Sequence, residues 1–337
     1  MRRFLSSRQA WLAQRSLGIG ASDAAAVLGV SPWHSPLSLF YTKRGEAPEN
    51  QGQEFARRLG LELEDPIARL WSGETKRNFL RPAPGFFWLD QHATKPYMLA
   101  SIDGECAHTP DDSRLTDVLE IKTAAISKAS IWQDEPPIDY IVQVQHQLAV
   151  TGKQFATIAA LIGGVQLRYA DIERDDEFIA MLEAACEEFW RRVELNDPPP
   201  PDGSDATREF LKKLYPTAKP SSVELPPEAI EWDQQRERVK AEIKALEAIE
   251  QECENQIKAA IGENAQGTLR NGIVYTLKET HRASYTVKET TYRTLRRVAP
   301  KGEKKPAAAK PLAERDLGAE FQAASAAEAA DSDEPWA

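Results

Sequence analysis

The sequence predicts an α/β protein of the α+β kind, with a mixed central sheet flanked by helices in its first 200 residues. Three observations predict it. Strand-like and helix-like segments interleave from residue 20 to residue 196 instead of falling into separate blocks. "FATIAALIGGVQLRYADIER" (155–174) holds two strand patterns joined at Gly163-Gly164, which signals an antiparallel hairpin. "VLEIKTA" (118–124) reads as a short buried strand and is followed by a helical pattern over 136–152.

Each element has its own local reason. "GASDAAAVLG" (20–29) reads as a short helix with Ser22 at the N-cap and Gly29 closing it. In 35–45, Ser35 caps, Pro36 takes the first helical position and Gly45 ends the helix. Over 54–71, Phe55, Leu59, Leu63, Ile67 and Leu70 recur near helical spacing. Pro66 lies within that stretch and predicts a kink or a helix boundary beside Glu64. "YMLASIDGE" (97–105) reads as a strand running into a turn. "PPIDYIVQVQHQLAVTG" (136–152) starts at a proline and ends at a glycine, and residues 176–196 form a further helix.

The remaining chain reads as an appendage. Proline-rich composition makes 201–225 a linker. Residues 226–264 form one long helix, with a seam of Val239, Ile243, Leu246, Cys253, Ile257 and Ala260 broken by Glu250. Asn271-Gly272 predicts a β-hairpin within 268–280. The segment 226–300 is thus a helical arm with a basic hairpin region, and 301–337 is an acidic, Ala-rich disordered tail.

Composition narrows the function classes. The chain has 337 residues, 42% of them hydrophobic, and its 8 Trp suit an ordinary soluble globular protein. No apolar run reaches the ~20 residues that span a bilayer, and the start lacks the apolar stretch of a secretory signal. A cytoplasmic location is therefore expected, with no membrane partner. Cys106, Cys186 and Cys253 show no paired spacing, which argues against a disulfide framework, a zinc site or an iron–sulfur cluster.

The net charge of −10 is unevenly spread. Residues 1–45 carry Arg2, Arg3, Arg8, Arg15, Lys43 and Arg44 against Asp23 alone, and 265–305 is also basic. Local patches decide what a surface attracts, so a polyanionic partner remains open. Around the hairpin, Lys278, Arg282, Lys288, Arg293, Arg296 and Arg297 interleave with Tyr275, Tyr285 and Tyr292. That pattern reads either as a DNA contact or as a solvated basic surface.

The chemistry-bearing residues begin with Glu120 and Lys122. Residues two apart in a strand share a face, so both charges point the same way while Leu119 and Ile121 point the other. A buried charge needs a partner. Mg²⁺ suits a carboxylate, because hard cations prefer oxygen ligands. Asp103 at the end of the preceding strand and Glu64 on the earlier helix can supply further carboxylates. On the helix 136–152, Tyr140, Gln143 and Gln147 fall on one face. That face reads either as a support for a carboxylate, a water or a phosphate, or as an ordinary solvated face. An Asp followed by Glu-x-Lys on the next strand, "SIDG" (101–104) and "EIK" (120–122), is the pattern of the PD-(D/E)xK nuclease core. Asp103, Glu120 and Lys122 alone would equally fit a turn Asp with an intrastrand ion pair.

Further segments extend the pattern. "RSLGIGASDAAAVLG" (15–29), "GLELEDPIARLW" (60–71), "SIDG", "LEIKT" and "YIVQVQHQL" occur in order, with "IERDDEFIAMLEAACEEFW" (172–190) after them. Together they resemble the YqaJ-like viral recombinase family, the group of phage lambda exonuclease, over roughly residues 8–200. The resemblance implies a restriction-endonuclease-like core and a Mg²⁺-dependent DNA exonuclease, with Mn²⁺ able to substitute. It implies 5′→3′ digestion of duplex DNA ends by a ring-shaped homotrimer that supplies single strands to a single-strand annealing recombinase. By position it makes Glu64, Asp103, Glu120, Lys122 and Gln143 the catalytic set. Asp103, Glu120, Glu64 and the Ile121 carbonyl would be the metal ligands. Arg15 and Ser22 would bind the terminal 5′-phosphate, and Tyr140 and Gln147 would lie toward the DNA. Other nucleases of this fold, or a DNA-binding module without turnover, are the alternatives.

Overall fold

The computed structural model describes residues 1–48, 54–132, 135–282, 289 and 292–298. Tyr285, Lys288 and the tail 301–337 lie outside these residues. The chain forms two compact units, Met1–Pro216 and a second beginning at Thr217.

In the first unit the order is β1 (Arg2–Leu5), α1 (Arg8–Arg15), β2 (Ile19–Gly20), α2 (Ala21–Val27), α3 (Pro36–Lys43) and α4 (Glu54–Thr75). There follow β3 (Phe79–Leu80), β4 (Phe87–Gln91), β5 (Met98–Ala100), β6 (Gly104–Cys106) and β7 (Asp117–Ala124). A 3₁₀ helix (Ile126–Trp132) leads to α5 (Ile138–Thr151), β8 (Phe155–Ile162), β9 (Gln166–Glu173), α6 (Asp176–Leu195) and α7 (Asp205–Leu214). The expected mixed sheet flanked by helices is observed. Its five strands run β3-β6-β7-β8-β9, with β7 and β8 parallel and the other neighbours antiparallel. A second sheet runs β1-β4-β5-β2.

The segment 97–105 shows why one strand pattern became two. Its first half, β5, pairs with β4 and β2 in the smaller sheet, and its second half, β6, pairs with β3 and β7 in the larger. Ser101, Ile102 and Asp103 make the crossing between sheets, so Asp103 stands where the two meet.

Strand β7 is packed on both faces and separates two cores. Val118 packs with Val142, Val144 and Ile158 on the α5 side. Leu119 and Ile121 pack with Ile67, Ala68 and Trp71 of α4 on the other. Each fully buried apolar side chain contributes about 1.5–3 kcal/mol, so these layers fix the register of the strand carrying Glu120.

Several terminal signals act as expected. Ser35 accepts from Ser38 N with Pro36 first in α3, Gly45 has φ 71°, and Gly152 closes α5 at φ 72°. Gly163 and Gly164 turn the β8–β9 hairpin at φ 60° and 74°. Gly163 is constrained twice, because a Cβ there would also lie 2.9 Å from the Ile126 side chain.

Three expectations are corrected. The N-cap of α2 is Gly20, not Ser22, because Asp23 Oδ2 accepts from Gly20 N at 2.8 Å and starts the helix earlier. Helix α4 runs on through Pro66 to Thr75, so no boundary falls beside Glu64. Packing of Ile67, Ala68 and Trp71 outweighs the donor that Pro66 lacks. The range 201–225 is not all linker. Helix α7 lies within it, capped by Ser204, and its buried Phe210 sits 5.4 Å from the Tyr41 ring. The first unit therefore extends past residue 200 to Pro216.

The second unit holds α8 (Ala229–Ile261), β10 (Gln266–Thr268) and β11 (Val274–Thr276). The Asn-Gly hairpin is present with a longer turn than a two-residue loop. Leu269 N donates to Ile273 O at 2.8 Å, and Gly272 has φ 89°. Val239, Ile243 and Leu246 of the seam are exposed.

At the end of β7 away from Glu120, Arg77 is 5% exposed and Asp117 1%. Arg77 donates to Asp171 at 2.8 Å, to Thr157 at 3.0 Å and to Ala107 O at 2.6 Å, and lies 3.4 Å from Asp117. Replacing Arg77 with Met removes the cation from this buried network and leaves Asp117 with Thr116 and His108 alone. The expected loss is about 3–5 kcal/mol, read as a lower urea midpoint with unchanged slope.

Candidate active site

The carboxylate of Glu120 is 3% exposed and held on both oxygens. Oε1 accepts from Lys122 Nζ at 2.5 Å and from Gln143 Nε2 at 2.5 Å, and Oε2 accepts from Gln147 Nε2 at 2.6 Å. Lys122 also donates to Gln143 Oε1 at 2.9 Å, and its ammonium sits 5.0 Å from the Tyr140 ring centroid. The polar face of α5 is therefore buried against β7, and the solvated-face reading is set aside. Gln147 is 0% exposed and is tied to Glu120 and to Ser101 O, so it lies beneath the acid. Tyr140 is half-buried and packs its ring 5.6 Å from Trp132.

Asp103 reaches the same strand from the sheet crossing. Its Oδ2 accepts from Ile121 N at 2.8 Å, which fixes the carboxylate beside the backbone between Glu120 and Lys122. Glu64 comes from α4 and is paired with Arg81, whose Nε also donates to Asp103 O at 3.0 Å. Glu64, Asp103, Glu120, Ile121, Lys122 and Gln143 all line one cleft of about 750 Å³.

Electrostatics confirm that the acids sense one another. Burial pushes the Asp103 carboxyl well above the usual range, and the charges of Glu120 and Glu64 add to the shift. Burial likewise raises Glu64, with Arg81 opposing and Glu120 adding. For Lys122, burial works to lower the pKa, but Glu120 and Asp103 outweigh it and hold the ammonium above its ordinary value. Carboxylate oxygens from Glu64, Asp103 and Glu120 gathered in one desolvated cleft are a donor set suited to a hard divalent cation. Among the described residues, however, no three acidic, His or Cys side chains already stand as a metal cage. Arg81 and Lys122 hold two of the acids instead.

Arg15 and Ser22 line the same cleft. The Arg15 guanidinium donates to Ser22 Oγ and lies 5.1 Å from the Trp11 ring centroid. Trp11 Nε1 donates to Ser101 Oγ at 2.7 Å and its ring stacks on Phe87. Asp23 stands 4.0 Å from Arg15, but Lys43 at 2.6 Å and Gly20 N share its charge. Its carboxyl is lowered despite burial, chiefly by Lys43 and then Arg15.

Sequence reasoning missed Arg81, Trp11 and Lys43. Trp11 and Arg15 are four apart on α1, a helical spacing that could have paired them. Arg81 follows a two-residue strand and gives no periodic signal. Only the register of β3 on β6 brings it to Asp103.

Residues 10–154 match the YqaJ-like viral recombinase domain. The chain is 35% identical over 274 residues to the uncharacterized protein YqaJ of Bacillus subtilis strain 168, a match covering 79% of this chain and 82% of YqaJ. The chain belongs to the YqaJ-like viral recombinase family. Its expected restriction-endonuclease-like core corresponds to the five-stranded mixed sheet and its flanking helices. Similar solved structures include an alkaline exonuclease from Laribacter hongkongensis, 24% identical, covering 56% of this chain and 94% of that one, with TM-score 0.43. A phage-related exonuclease from Haemophilus somnus 129PT is 11% identical and covers 53% of this chain and 96% of that one, with TM-score 0.39. Every residue assigned to the cleft lies within the YqaJ-like match. No helix among the described residues is long and apolar enough to cross a membrane.

A pH dependence follows from Asp103. Its raised folded pKa means the native protein favours the protonated acid. The metal-free protein therefore loses stability as pH climbs from the ordinary carboxylate value through the folded one. Asp103→Asn should raise the melting temperature in EDTA at pH 8 and leave it nearly unchanged at pH 4. Thermal melts across that range check the sign.

Proposed function

We propose that this YqaJ-like protein is a Mg²⁺-dependent DNA exonuclease that hydrolyses phosphodiester bonds at duplex ends. The observation that carries the reading is the convergence of Glu64, Asp103 and Glu120 from three separate segments on one desolvated cleft shared with Arg15. Asp103, Glu120, Glu64 and the Ile121 carbonyl would hold the ion, and Mn²⁺ would serve in its place. When bound, the ion supplies a water of lowered pKa and neutralises charge growing on the phosphate.

The chain's own residues account for the rest. Lys122 is held protonated, which favours its use in orienting the water or stabilising anionic oxygen over its use as a base. Gln143 bonds both Lys122 and Glu120 and so fixes their spacing. Gln147 satisfies the far oxygen of Glu120. The guanidinium of Arg15 offers a fork for a terminal phosphate, with Ser22 beside it. Polarity 5′→3′, a trimeric ring and delivery of single strands to an annealing recombinase are carried over from the family resemblance, and a cytoplasmic setting from the composition.

The test is a timed digestion of linear duplex labelled at one 5′ end, with closed circular duplex and single-stranded DNA in parallel. Release of label from the linear duplex in Mg²⁺, and none in EDTA, is the expected result. Cutting of circles would favour an endonuclease, and preference for single strands a different exonuclease. DNA binding without cleavage in Mg²⁺ or Mn²⁺ would favour a non-catalytic module. Glu120→Gln and Lys122→Ala should each lower the rate at least ~10²-fold with the fold retained, as circular dichroism would report. Arg15→Ala should raise KM about tenfold on 5′-phosphorylated ends and change little on 5′-hydroxyl ends, since one charge-assisted contact is worth ~1.5–3 kcal/mol.

A further inference from the structure

We infer that Arg81 sets the divalent-cation affinity of the acid site by competing with the cation for Glu64. This role rests on the metal-dependent reading of the cleft, and it assigns a function to a residue outside the family's acid-and-lysine pattern.

The placement of Arg81 is built into the backbone. In the antiparallel pairing of β3 and β6, Phe79 faces Cys106 and Leu80 faces Glu105. The next step of that register sets Arg81 beside Gly104, the residue after Asp103. A Cβ on Gly104 would fall 2.8 Å from Leu80 O and 3.1 Å from Arg81 Cγ. Glycine at 104 therefore lets the Arg81 stem run close along β6. Arg81 Nε donates to Asp103 O at 3.0 Å while the other end of the guanidinium pairs with Glu64. One cation thus binds the backbone of one presumed ligand and the side chain of another.

Charge accounting gives the consequence. Of the charged residues lining the cleft, which also include Arg15, Arg69, Glu62 and Asp65, Lys122 and Arg81 are the cations bonded to the acids Glu120 and Glu64. Lys122 is committed to Glu120 and Gln143, two residues on its own side of the site. Arg81 is the cation that meets Glu64. A divalent ion that used Glu64 would have to displace this guanidinium, and the displaced donor would remain beside Asp103, in the cleft where a phosphate would enter. Loading of the ion and phosphate recognition are then coupled through one side chain.

The experiment titrates the full-length protein with Mn²⁺ without DNA and follows the free-ion EPR signal. Wild type, Arg81→Lys and Arg81→Gln are compared, each with a thermal melt. Arg81→Gln should bind Mn²⁺ about tenfold tighter than wild type, and Arg81→Lys about threefold tighter, because lysine keeps the charge but not the paired reach. A merely structural Arg81 would instead give lower melting temperatures with equal or weaker Mn²⁺ binding, and that result overturns the inference. If Arg81→Gln does not fold, the same comparison on Arg81→Lys decides. Uptake by wild type without any gain in the variants defeats the role of Arg81 alone. Failure of all three proteins to take up Mn²⁺ defeats the metal-dependent reading as well.

Discussion

Mutual repulsion among three desolvated carboxylates is the constraint around which the first unit is organised. Asp103 is pushed well above the usual acid range by burial and by the charges of Glu120 and Glu64. Such an arrangement is unfavourable unless surrounding groups compensate. Here they do so in three ways: amide donors from α5, the backbone N–H of Ile121, and two cations. Storing unfavourable charge where chemistry is expected is a trade of stability for function.

The architecture explains how the repulsion is held. Both faces of β7 are packed, so the strand cannot shift register to relieve Glu120. Asp103 sits at a crossing between two sheets, where the chain leaves β5 and enters β6. The opposite end of β7 has its own buried ion network through Arg77 and Asp117. The strand is thus anchored by charge at both ends and by apolar contact between them.

Much of this was legible in the sequence. The two-residue period of Glu120 and Lys122, the Gly-Gly hairpin, and the helix 136–152 all gave the right elements, because each rests on local periodicity or turn chemistry. The glutamines on that helix were visible as one face, but their burial was not, since amides read as solvent-facing by default. Ser22 was misplaced as a cap because Asp23, not Ser22, satisfies the first turn. Arg81 left no trace in the pattern, because its importance comes from a two-residue strand paired across 25 positions of sequence. Helix α7 was hidden by the prolines before it.

Helix α5 has a consequence beyond supporting Glu120. Four of its residues bond outside the helix: Gln143 to Glu120 of β7, Gln145 to Glu173 O at 2.7 Å, His146 to Leu99 O at 3.2 Å, and Gln147 to the other oxygen of Glu120 and to the sheet crossing. A greasy helix can rotate or slide by a fraction of a turn and find new contacts of similar energy. This one is keyed like a locating pin at four positions, so a single step of rotation would release all of them at once. Substitution could repack the apolar side of α5, but a change of its phase would cost every one of these bonds.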